Sequence, residues 1–460
     1  MKLSVIGAGY VGLTTAACLA ELGHVVFCAD SDLKKLQKLR ELELPFFEPH
    51  LASIVQRACN ANRLEFGPTE EAIDRGGPIF ICVGTPPLVN GDADLSAIEH
   101  VARTITKRNH GYRLVIEKST VPVQTGYRLR RYLSLHSNNG SDYDVASNPE
   151  FLREGSAVED FLHPDRLVIG VENPRAAEKL DEIYRPLLDG RFTCPLHDPC
   201  ESRSRNVPFL VTDTNSAELI KHASNSLLAM KISFINLVAE LCEAAGADIR
   251  KVAQGIGLDP RIGPAFLRPG IGFGGFCFPK DLQAFVRIAE KFGCDFSLLR
   301  EVEKINDRCV TRFVEKVRHE LWVLNGKRIA VWGLAFKPDT DDVRFAPSLS
   351  IIKKLMVEGA EIRAYDPRAI QNAKRELPDI IYCLDPYEAA KEAEAILVLT
   401  EWPQFQKIDW DRLRALVERP LIIDGRNLFS SDEVAAQGFQ YVGIGGLFAM
   451  PTPTSLLASV

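Results

Sequence analysis

The stretch that decides the fold is Gly7-Ala8-Gly9-Tyr10-Val11-Gly12. It follows a short apolar run, Leu3 to Ile6, and it precedes Leu13 to Leu22, an alanine- and leucine-rich segment that predicts a helix. A second apolar run, Val25 to Ala29, ends at Asp30. This succession of strand, glycine turn, helix, strand and acidic residue is typical of a dinucleotide-binding βαβ unit.

Each residue type in this unit has a physical task. Gly7 permits the tight turn, Gly9 lets the backbone approach a pyrophosphate, and Gly12 lets helix and strand pack closely. The pyrophosphate binds to N–H groups at the helix N-terminus. Asp30 can accept hydrogen bonds from both ribose hydroxyls of NAD and would repel the 2′-phosphate of NADP, although the nearby Lys34 and Lys35 weaken that argument. The cofactor predicted here is NAD, with contacts from Gly7, Gly9, Tyr10, Val11, Gly12, Asp30 and Lys35.

The composition is that of an ordinary globular protein. The 460 residues are 46% hydrophobic and 25% charged, which excludes disordered, collagenous and coiled-coil classes. A net charge of −6 gives no electrostatic reason to expect nucleic acid or an anionic membrane as a partner.

Cysteine usage and hydropathy indicate the compartment. The eleven cysteines form no Cys-x-x-Cys pair, which argues against a secreted disulfide framework and against zinc-ligand spacing, so no metal site is predicted. Met1-Lys2 runs directly into the first predicted strand, and no apolar run reaches the 18 residues of a membrane span. We expect a cytoplasmic protein with no membrane partner.

Two further strands, Pro78 to Val83 and Leu114 to Glu117, each end in a polar turn. Loops after the carboxyl ends of parallel strands line the ligand crevice of an open sheet, so Thr85 and Thr120 are candidate ligand contacts. The alternative is that these threonines only form the turns and bind no ligand. Glu150 and Glu154 would share a face if their stretch were helical.

A long helix is predicted from Thr214 to Ala245, a segment without proline or glycine. Its length suggests that it runs between domains or through an interface. Lys221 and Asn225 lie four residues apart and therefore on one face. On their own, a lysine and an asparagine on a helix are more often simply solvated.

The segment from Gly263 to Phe276 contains five glycines and is followed directly by Cys277. Such a loop brings backbone close to another group. Lys280 and a helix beginning at Asp281 would stabilise the thiolate form of Cys277. The alternative is an inert core cysteine.

The last third of the chain predicts a second doubly wound unit that lacks the G-x-G-x-x-G turn. Its first turn, residues 333–340, can still hold phosphate, with Lys337 as a point charge. The predicted fold class is α/β, with two Rossmann-like doubly wound domains joined by a long central helix in a helical domain. We predict an N-terminal NAD-binding domain over 1–205, a central helical dimerisation domain with the cysteine loop over 206–320, a C-terminal Rossmann-like domain over 321–460, and a disordered tail from about Met450.

These motifs together resemble the UDP-glucose/GDP-mannose dehydrogenase family along almost the whole chain. The resembling motifs, in family order and spacing, are Gly7 to Gly12, Gly84-Thr85-Pro86, Ser119-Thr120-Val121-Pro122, Asn148 to Glu154, the Lys221/Asn225 helix, Gly272 to Asp281 and Phe336-Lys337-Pro338.

The resemblance implies a four-electron oxidation, in which two NAD⁺ convert the C6 alcohol of a nucleotide sugar to a carboxylate. Cys277 falls on the family's catalytic thiol, which forms a thiohemiacetal and then a thioester that water hydrolyses. Lys221 and Asn225 match the pair at the reacting oxygen. Asp281 matches the aspartate that works with the lysine and a water, and Thr120 and Glu154 match residues that hold water or cofactor. The sequence does not decide whether Glu154 or Asp281 activates the hydrolytic water.

The resemblance also implies further ligand contacts. Those to cofactor are Thr85, Thr120, Glu154, Lys280 and Arg344. Those to substrate are Glu150, Phe151, Leu152, Arg153, Glu154, Lys221, Asn225, Arg261, Phe266, Arg268, Gly270, Gly274, Cys277, Phe336, Lys337 and Arg426. The family commonly has Glu and Ser where this chain has Phe345 and Phe276, which puts the local contacts of Arg344 in doubt.

The Arg261-Ile262-Gly263 element, followed by Phe266-Leu267, resembles the UDP-glucose branch of the family. The expected product is therefore UDP-glucuronate, and the alternative is C6 oxidation of a UDP-N-acetylhexosamine or GDP-mannose. The resemblance also implies a homodimer or higher homo-oligomer, with Arg261 contributed by the neighbouring subunit. The β-hydroxyacid dehydrogenases share the first domain and the Lys/Asn helix but lack the cysteine loop and a third domain, and a non-catalytic NAD-binding regulator would not need these residues together.

Overall fold

The computed structural model describes residues 1–108, 111–137, 141–200 and 206–446. The chain forms two compact units. The N-terminal unit comprises Met1–Ser224 and Gln283–Cys294, and the C-terminal unit comprises Asn225–Leu282 and Asp295–Val460. The three-part division with boundaries after residues 205 and 320 stays a prediction.

The N-terminal unit is built on one sheet of eight strands. The strands are β1 (Lys2–Ile6), β2 (Val25–Ala29), β3 (Leu64–Gly67), β4 (Ile79–Ile81), β5 (Gly111–Glu117), β6 (Ser141–Ser147), β7 (Leu167–Val171) and β8 (Phe209–Thr212). The helices are α1 (Tyr10–Glu21), α2 (Leu33–Arg40), α3 (Leu51–Asn60), α4 (Thr69–Asp74), α5 (Ser96–Arg108), α6 (Thr125–His136), α7 (Ala157–Leu162) and α8 (Pro174–Leu188).

The strand order of this sheet is β3-β2-β1-β4-β5-β6-β7-β8. The first six strands are parallel, β7 runs antiparallel to β6, and β8 is parallel to β7. Ile6 is in register with Ala29 and Ile81, and Glu117 is in register with Ile81 and Ser147. The carboxyl ends of the central strands therefore meet at one edge, where ligands bind in open α/β sheets.

The central strands are apolar throughout because helices cover both faces of the sheet. Val5, Ile81 and Ile116 are fully buried. On α1, Ala16 and Ala17 are also fully buried, and these small side chains let the helix lie close to the sheet. This two-sided packing explains why the strands appear in the sequence as nearly continuous apolar runs.

The C-terminal unit is built on a sheet of six parallel strands in the order β11-β10-β9-β12-β13-β14. The strands are β9 (Arg328–Trp332), β10 (Glu361–Tyr365), β11 (Ile381–Tyr382), β12 (Ala395–Val398), β13 (Leu421–Asp424) and β14 (Gln440–Val442). The helices are α10 (Ile249–Gly257), α12 (Ser297–Leu321), α13 (Pro347–Val357), α14 (Ile370–Glu376), α15 (Pro386–Ala390), α16 (Trp410–Leu416) and α17 (Ser431–Ala436). The helices α9 (Thr214–Ala245) and α11 (Cys277–Lys291) contribute residues to both units.

The predicted fold class is confirmed, and the long helix has the predicted bounds. One local expectation was wrong: the helix expected to begin at Asp281 begins at Cys277. The stretch from Glu150 to Glu154 is not helical, so the condition for these two carboxylates to share a helical face is not met. The predicted disordered tail lies outside the described residues, and no helix in the described part of the chain is long and apolar enough to cross a membrane.

Candidate active site

The glycine turn after β1 has the geometry that the sequence predicted. Gly7 has φ +105°, and a Cβ there would lie 2.6 Å from the carbonyl oxygen of Cys82. A Cβ on Gly12 would lie 1.7 Å from the carbonyl oxygen of Gly7. A Cβ on Gly9 would meet nothing within 4 Å. Gly7 and Gly12 are thus required by the fold, whereas the space at Gly9 is open to a ligand.

The N-terminus of α1 is suited to bind a pyrophosphate. Gly9 is the N-cap, and no side chain in the described ranges caps the helix there. Tyr10 and Val11 form the first turn, with backbone N–H groups that have no partner within the helix. These groups and the helix dipole together favour an anion.

Asp30 is held in place at the end of β2. Its Oδ2 accepts hydrogen bonds from Ala8 N at 2.8 Å and from Lys35 Nζ at 2.8 Å, and its Oδ1 accepts one from Asp32 N at 2.9 Å. Burial disfavours the charged carboxylate, but these hydrogen bonds outweigh burial and hold the pKa of Asp30 below its usual value. The carboxylate is therefore ionised and oriented beside the glycine turn.

Sequence reasoning missed Glu48, which anchors the loop that contains Glu154. The Glu48 carboxylate accepts hydrogen bonds from Tyr10 Oη, from Gly155 N at 2.7 Å and from Ala157 N at 2.7 Å. Glu48 is only 4% exposed. The loop is thus tied to the first residue of α1, and Glu154 is half-buried within it.

Thr85 and Thr120 lie together at the carboxyl edge of the sheet. Thr85 is buried, and its Oγ1 donates a 2.8 Å hydrogen bond to the carbonyl oxygen of Thr120. Nearby in sequence, Lys118 is also buried, with Nζ 3.2 Å from Asn148 Oδ1. Burial lowers the pKa of Lys118 to about 8. Sequence reasoning missed this lysine, because its burial depends on tertiary packing.

Lys221 and Glu150 form a buried ion pair. Lys221 Nζ lies 2.9 Å from Glu150 Oε1, and the two side chains are 5% and 4% exposed. Glu150 Oε2 accepts a hydrogen bond from Leu152 N at 2.6 Å, and Lys221 Nζ lies 5.6 Å from the centre of the Phe151 ring. Four predicted site residues are therefore brought together here.

Two residues that sequence reasoning missed fix α9 against the loop after β5. Glu218 accepts hydrogen bonds from Gln124 N and Gly126 N, both at 2.7 Å. His222 Nε2 lies 2.8 Å from the carbonyl oxygen of Val121. Burial raises the pKa of Glu218 to about 7, although the backbone N–H groups oppose the shift. Because Glu218, Lys221 and His222 share a helical face, these contacts also position Lys221.

In the C-terminal unit, Asp281 holds two predicted site residues. Asn225 Nδ2 donates to Asp281 Oδ2 at 2.6 Å, and Lys280 Nζ donates to Asp281 Oδ1 at 2.7 Å. The exposed fractions are 7% for Asn225, 7% for Lys280 and 1% for Asp281. The three side chains thus form a buried network, and two of them, Lys280 and Asp281, follow Cys277 by three and four residues.

Cys277 is the first residue of α11 and is half-buried. A thiol at a helix N-terminus is favoured as a thiolate because the helix dipole stabilises negative charge there. The helix begins four residues earlier than the sequence predicted, so the dipole acts at the cysteine itself.

The glycine loop before Cys277 is shaped by its own chain. A Cβ on Gly272 would lie 2.7 Å from Asn306 Oδ1, one on Gly274 would lie 2.4 Å from Phe345 O, and one on Gly275 would lie 2.8 Å from the Phe336 ring. Asn306, which sequence reasoning missed, accepts from Phe273 N at 2.7 Å and donates to Phe273 O at 3.1 Å. These glycines are therefore needed for packing.

Arg426 joins the glycine loop to the C-terminal sheet. Its guanidinium donates hydrogen bonds to the carbonyl oxygens of Gly272 at 2.9 Å, Phe336 at 3.2 Å and Leu399 at 3.0 Å. A Cβ on Gly270 would lie 2.9 Å from Gly425 O. Lys337 follows Phe336 in the first turn of this sheet, with Nζ 5.5 Å from the Phe336 ring centre. Arg426 and Phe336 thus lie together.

Besides lacking the G-x-G-x-x-G pattern, the first turn of the C-terminal sheet differs from a dinucleotide site in its acidic residue. Asp366 follows β10 as Asp30 follows β2, but its Oδ2 accepts from Leu334 N at 2.7 Å, Ala335 N at 3.1 Å and Trp402 Nε1 at 3.1 Å. Its exposed fraction is 1%. Its Oδ1 also accepts from Arg368 N and Ala369 N, so five donors hold this carboxylate, against three for Asp30, and fewer of its lone pairs are left for a ribose.

Five predicted contacts lie outside these networks: four arginines with exposed side chains, and Phe266. The Arg261 side chain is 88% exposed and pairs with Asp259 at 2.6 Å. Arg153 pairs with Asp160 at 2.5 Å, and Arg268 is exposed. Arg344 pairs with Asp342 at 2.6 Å and stacks over the Phe276 ring at 4.5 Å. Phe266 is half-buried, with its ring centre 6.4 Å from that of Phe278.

Comparison with known proteins identifies the family. The UDP-glucose/GDP-mannose dehydrogenase family models match along the chain: the NAD binding domain at residues 1–188, the central domain at 215–308 and the UDP binding domain at 330–431.

Individual relatives extend the match over nearly the full length. The UDP-glucose 6-dehydrogenase TuaD of Bacillus subtilis (strain 168) is 42% identical over 446 residues, covering 96% of this chain and 93% of the relative. A UDP-glucose 6-dehydrogenase of Rhizobium meliloti (strain 1021) is 42% identical over 450 residues, covering 97% and 99%. A UDP-glucose dehydrogenase structure from the hyperthermophilic archaeon Pyrobaculum islandicum is 36% identical, with a TM-score of 0.86 and coverage of 97% and 98%.

Proposed function

The chain belongs to the UDP-glucose/GDP-mannose dehydrogenase family, and we propose that it oxidises the C6 alcohol of UDP-glucose to the carboxylate of UDP-glucuronate. Identity of 42% to UDP-glucose 6-dehydrogenases over nearly the whole chain supports this substrate. The structural observation that carries the proposal is the buried Asn225–Asp281–Lys280 network, because Lys280 and Asp281 lie on the helix whose first residue is Cys277. A two-electron dehydrogenase has no use for that thiol.

We propose that NAD binds to the glycine turn and Asp30 of the N-terminal unit. The open space at Gly9, the uncapped turn at Tyr10 and the oriented Asp30 fit a pyrophosphate and a ribose. Thr85 and Thr120 lie at the same sheet edge. NAD, when bound, takes up the electrons released at C6, and two NAD are consumed for each sugar.

For the first oxidation we propose that Lys221 and Asn225 stabilise negative charge on the reacting oxygen. They lie four residues apart on α9, on one face of the helix. The ion pair with Glu150 holds the Lys221 ammonium in a buried position, and Asp281 orients the Asn225 amide. Donors that are fixed before reaction stabilise an oxyanion without reorganising.

For the second oxidation we propose that Cys277 attacks the C6 aldehyde. The sulfur–carbon bond converts the aldehyde to a tetrahedral thiohemiacetal, which is oxidised to a thioester and then hydrolysed by water. An aldehyde does not readily lose its second pair of electrons, whereas the tetrahedral adduct does. The N-terminus of α11 supports the thiolate that forms this bond.

For hydrolysis we propose that Glu154 activates the water and Asp281 positions its neighbours. Both oxygens of Asp281 already accept hydrogen bonds, one from Asn225 and one from Lys280. Glu154 lies in a loop that Glu48 fixes through the N–H groups of Gly155 and Ala157. Glu154→Gln should then retain thioester formation but release product slowly, which Asp281→Asn should not.

We further propose a homodimer that buries an apolar stripe of α9. Leu227, Phe234 and Leu241 lie seven residues apart, hence on one face, and are 54%, 54% and 67% exposed in the single chain. Arg261 is exposed, as a residue donated to a neighbouring subunit would be. A cytoplasmic location is also part of the proposal, and it is supported by the absence of disulfides among the cysteines that the structure describes.

A substrate panel tests the proposed function. The purified protein is incubated with NAD⁺ or NADP⁺ and with UDP-glucose, UDP-N-acetylglucosamine, UDP-N-acetylmannosamine or GDP-mannose, and each product is identified by mass spectrometry. We expect UDP-glucuronate from UDP-glucose with NAD⁺. A uronate formed preferentially from another nucleotide sugar would reassign the substrate, and no oxidation of any sugar would overturn the proposal.

A further inference from the structure

The N-terminal unit contains a second cluster of reactive side chains, which consists of His163, Cys194, His197 and Cys200. One ligand atom from each residue lies within 4.8 Å of those of the other three. His163 Nε2 is 3.2 Å from Cys194 Sγ and 3.7 Å from Cys200 Sγ, and Cys194 Sγ is 3.8 Å from His197 Nδ1. None of the four belongs to the residues assigned to cofactor or substrate. We call this group the His/Cys cluster.

Two separate segments supply the cluster. His163 directly follows α7, where its N–H donates to Glu159 O at 2.7 Å. The other three residues come from the connection between α8 and β8 and have the spacing Cys194-x-x-His197-x-x-Cys200. Described residues 189–200 of this connection form no helix or strand. A described segment of this length without helix or strand needs another source of order.

We propose that the His/Cys cluster is a structural zinc site. Tetrahedral zinc with bonds of about 2.0–2.3 Å to nitrogen and sulfur places its ligand atoms about 3.3–3.8 Å apart. Three distances within the cluster, 3.2, 3.7 and 3.8 Å, lie near this range, and all four ligand atoms lie within 4.8 Å of one another. Two thiolates and two imidazoles match the Cys₂His₂ set that zinc takes in closed structural sites.

Groups around the cluster are arranged as outer partners of a metal site. His197 directs Nδ1 toward Cys194 Sγ, while its Nε2 lies 4.0 Å from Glu159 Oε1. A carboxylate near the second ring nitrogen of a histidine ligand fixes the ring and raises its basicity. Leu196 N donates to Cys194 Sγ at 3.5 Å, which stabilises a thiolate. Both arrangements favour the metal-bound forms of the ligands.

The role of this zinc is to pin the connection to the body of the N-terminal unit. With four protein ligands the ion keeps no open position, which distinguishes a structural from a catalytic site. Phe192 is 7% exposed and belongs to the hydrophobic core of the N-terminal unit. Cys194 and Leu196 pack against that core. The metal links this packed segment to the end of α7. The sequence did not predict this metal site, because its spacing alternates cysteine with histidine and contains no Cys-x-x-Cys pair.

Metal content of purified protein tests the proposal. The chain and the variants Cys194→Ser, Cys200→Ser and Cys294→Ser are expressed with zinc, dialysed, and analysed by inductively coupled plasma mass spectrometry. Cys294 is exposed and lies outside the cluster, so its variant is the matched control. We expect about one zinc per chain in the wild type and the control, and less than about a tenth of that in the two cluster variants.

Cobalt substitution tests the site in the wild-type protein, so the proposal stays testable even if the cysteine variants fail to fold. Wild-type protein grown with cobalt should show visible d–d bands of tetrahedral geometry and a thiolate-to-cobalt charge-transfer band in the near ultraviolet. A chelator that removes the metal should lower the melting temperature of wild type but not of Cys194→Ser. Wild type without bound metal, zinc that persists in both cluster variants, or a Cys194–Cys200 disulfide in protein purified under reducing conditions would each overturn the proposal.

Discussion

Asn225 on α9 donates a 2.6 Å hydrogen bond to Asp281 on α11, and the same carboxylate binds Lys280 through its other oxygen. This contact joins residues 56 positions apart in the chain. The proposed nucleophile, Cys277, is the first residue of α11, so the Asn225–Asp281 hydrogen bond anchors the beginning of the helix that carries it. One buried carboxylate thus orients the amide proposed for the reacting oxygen and supports the end of the cysteine loop.

This network should respond unequally to its two simplest disruptions. Asp281→Asn leaves the Lys280 ammonium buried without its counter-charge, and losing one partner of a buried ion pair costs about 3–5 kcal/mol. Asn225→Ala removes one hydrogen bond to a carboxylate and should cost about 1–3 kcal/mol. Urea unfolding measures both, with Asp379→Asn at an exposed position as control. Equal losses in the two network variants would contradict the proposed charge pairing.

Substitutions at two glycines of the turn after β1 should affect cofactor binding and folding separately. Gly9→Ala places a Cβ in open space, so the variant should fold with wild-type stability but bind NAD⁺ at least about tenfold more weakly, because the pyrophosphate needs close backbone approach. Gly12→Ala places a Cβ 1.7 Å from Gly7 O and should destabilise the fold. Isothermal titration calorimetry and thermal melting test the pair. Wild-type NAD⁺ affinity in Gly9→Ala would refute the turn's assignment.

Substitution of Cys277 should divide the reaction into its two halves. Cys277→Ala cannot form a thioester, so production of UDP-glucuronate should fall by several orders of magnitude. In Cys277→Ser, an ester hydrolyses more slowly than a thioester, so an adduct of UDP-glucuronyl mass should accumulate with UDP-glucose and NAD⁺. Intact-mass spectrometry detects it, and Cys294→Ser is the cysteine control. Near-wild-type product formation by Cys277→Ala would disprove the covalent mechanism.

Glu218 should make stability depend on pH. Burial raises its pKa from 4.5 to about 7 in the folded chain, so between these values the folded state holds a proton that the unfolded state has released. Its contribution therefore falls as pH rises through this range, by up to about 3 kcal/mol. Glu218→Gln cannot lose a proton, and its unfolding free energy should fall less.

Urea unfolding of wild type and Glu218→Gln between pH 4.5 and about 7 measures how much more the unfolding free energy of wild type falls. Glu178→Gln, at an exposed position on α8, controls for the loss of a surface charge. Wild type and Glu218→Gln with parallel pH profiles would mean that Glu218 is ionised in both states.

Features set by neighbouring residues were predictable from sequence. The bounds of α9 and β2 match the predictions because apolar period, glycine and proline signals are local. The glycine turn and Asp30 were likewise identified from one short stretch. The start of α11 was misplaced because Pro279 was not recognised as a first-turn residue, a position where proline fits a helix.

Partners brought together by the fold could not be predicted in the same way. Glu48, Glu218 and Asn306 contact site segments 107, 92 and 33 positions away, and no local pattern marks them. The glycines before Cys277 predicted a close approach but not its partner, which in the structure is the chain itself at Asn306, Phe345 and Phe336.

The central claim is the four-electron oxidation of UDP-glucose. It is tested most directly by adding a limiting, known amount of UDP-glucose to the enzyme with excess NAD⁺ and measuring NADH absorbance when the reaction is complete. The account predicts two NADH for every UDP-glucose consumed, with UDP-glucuronate as the only sugar product. One NADH per sugar with accumulated aldehyde, or no NADH at all, would contradict it.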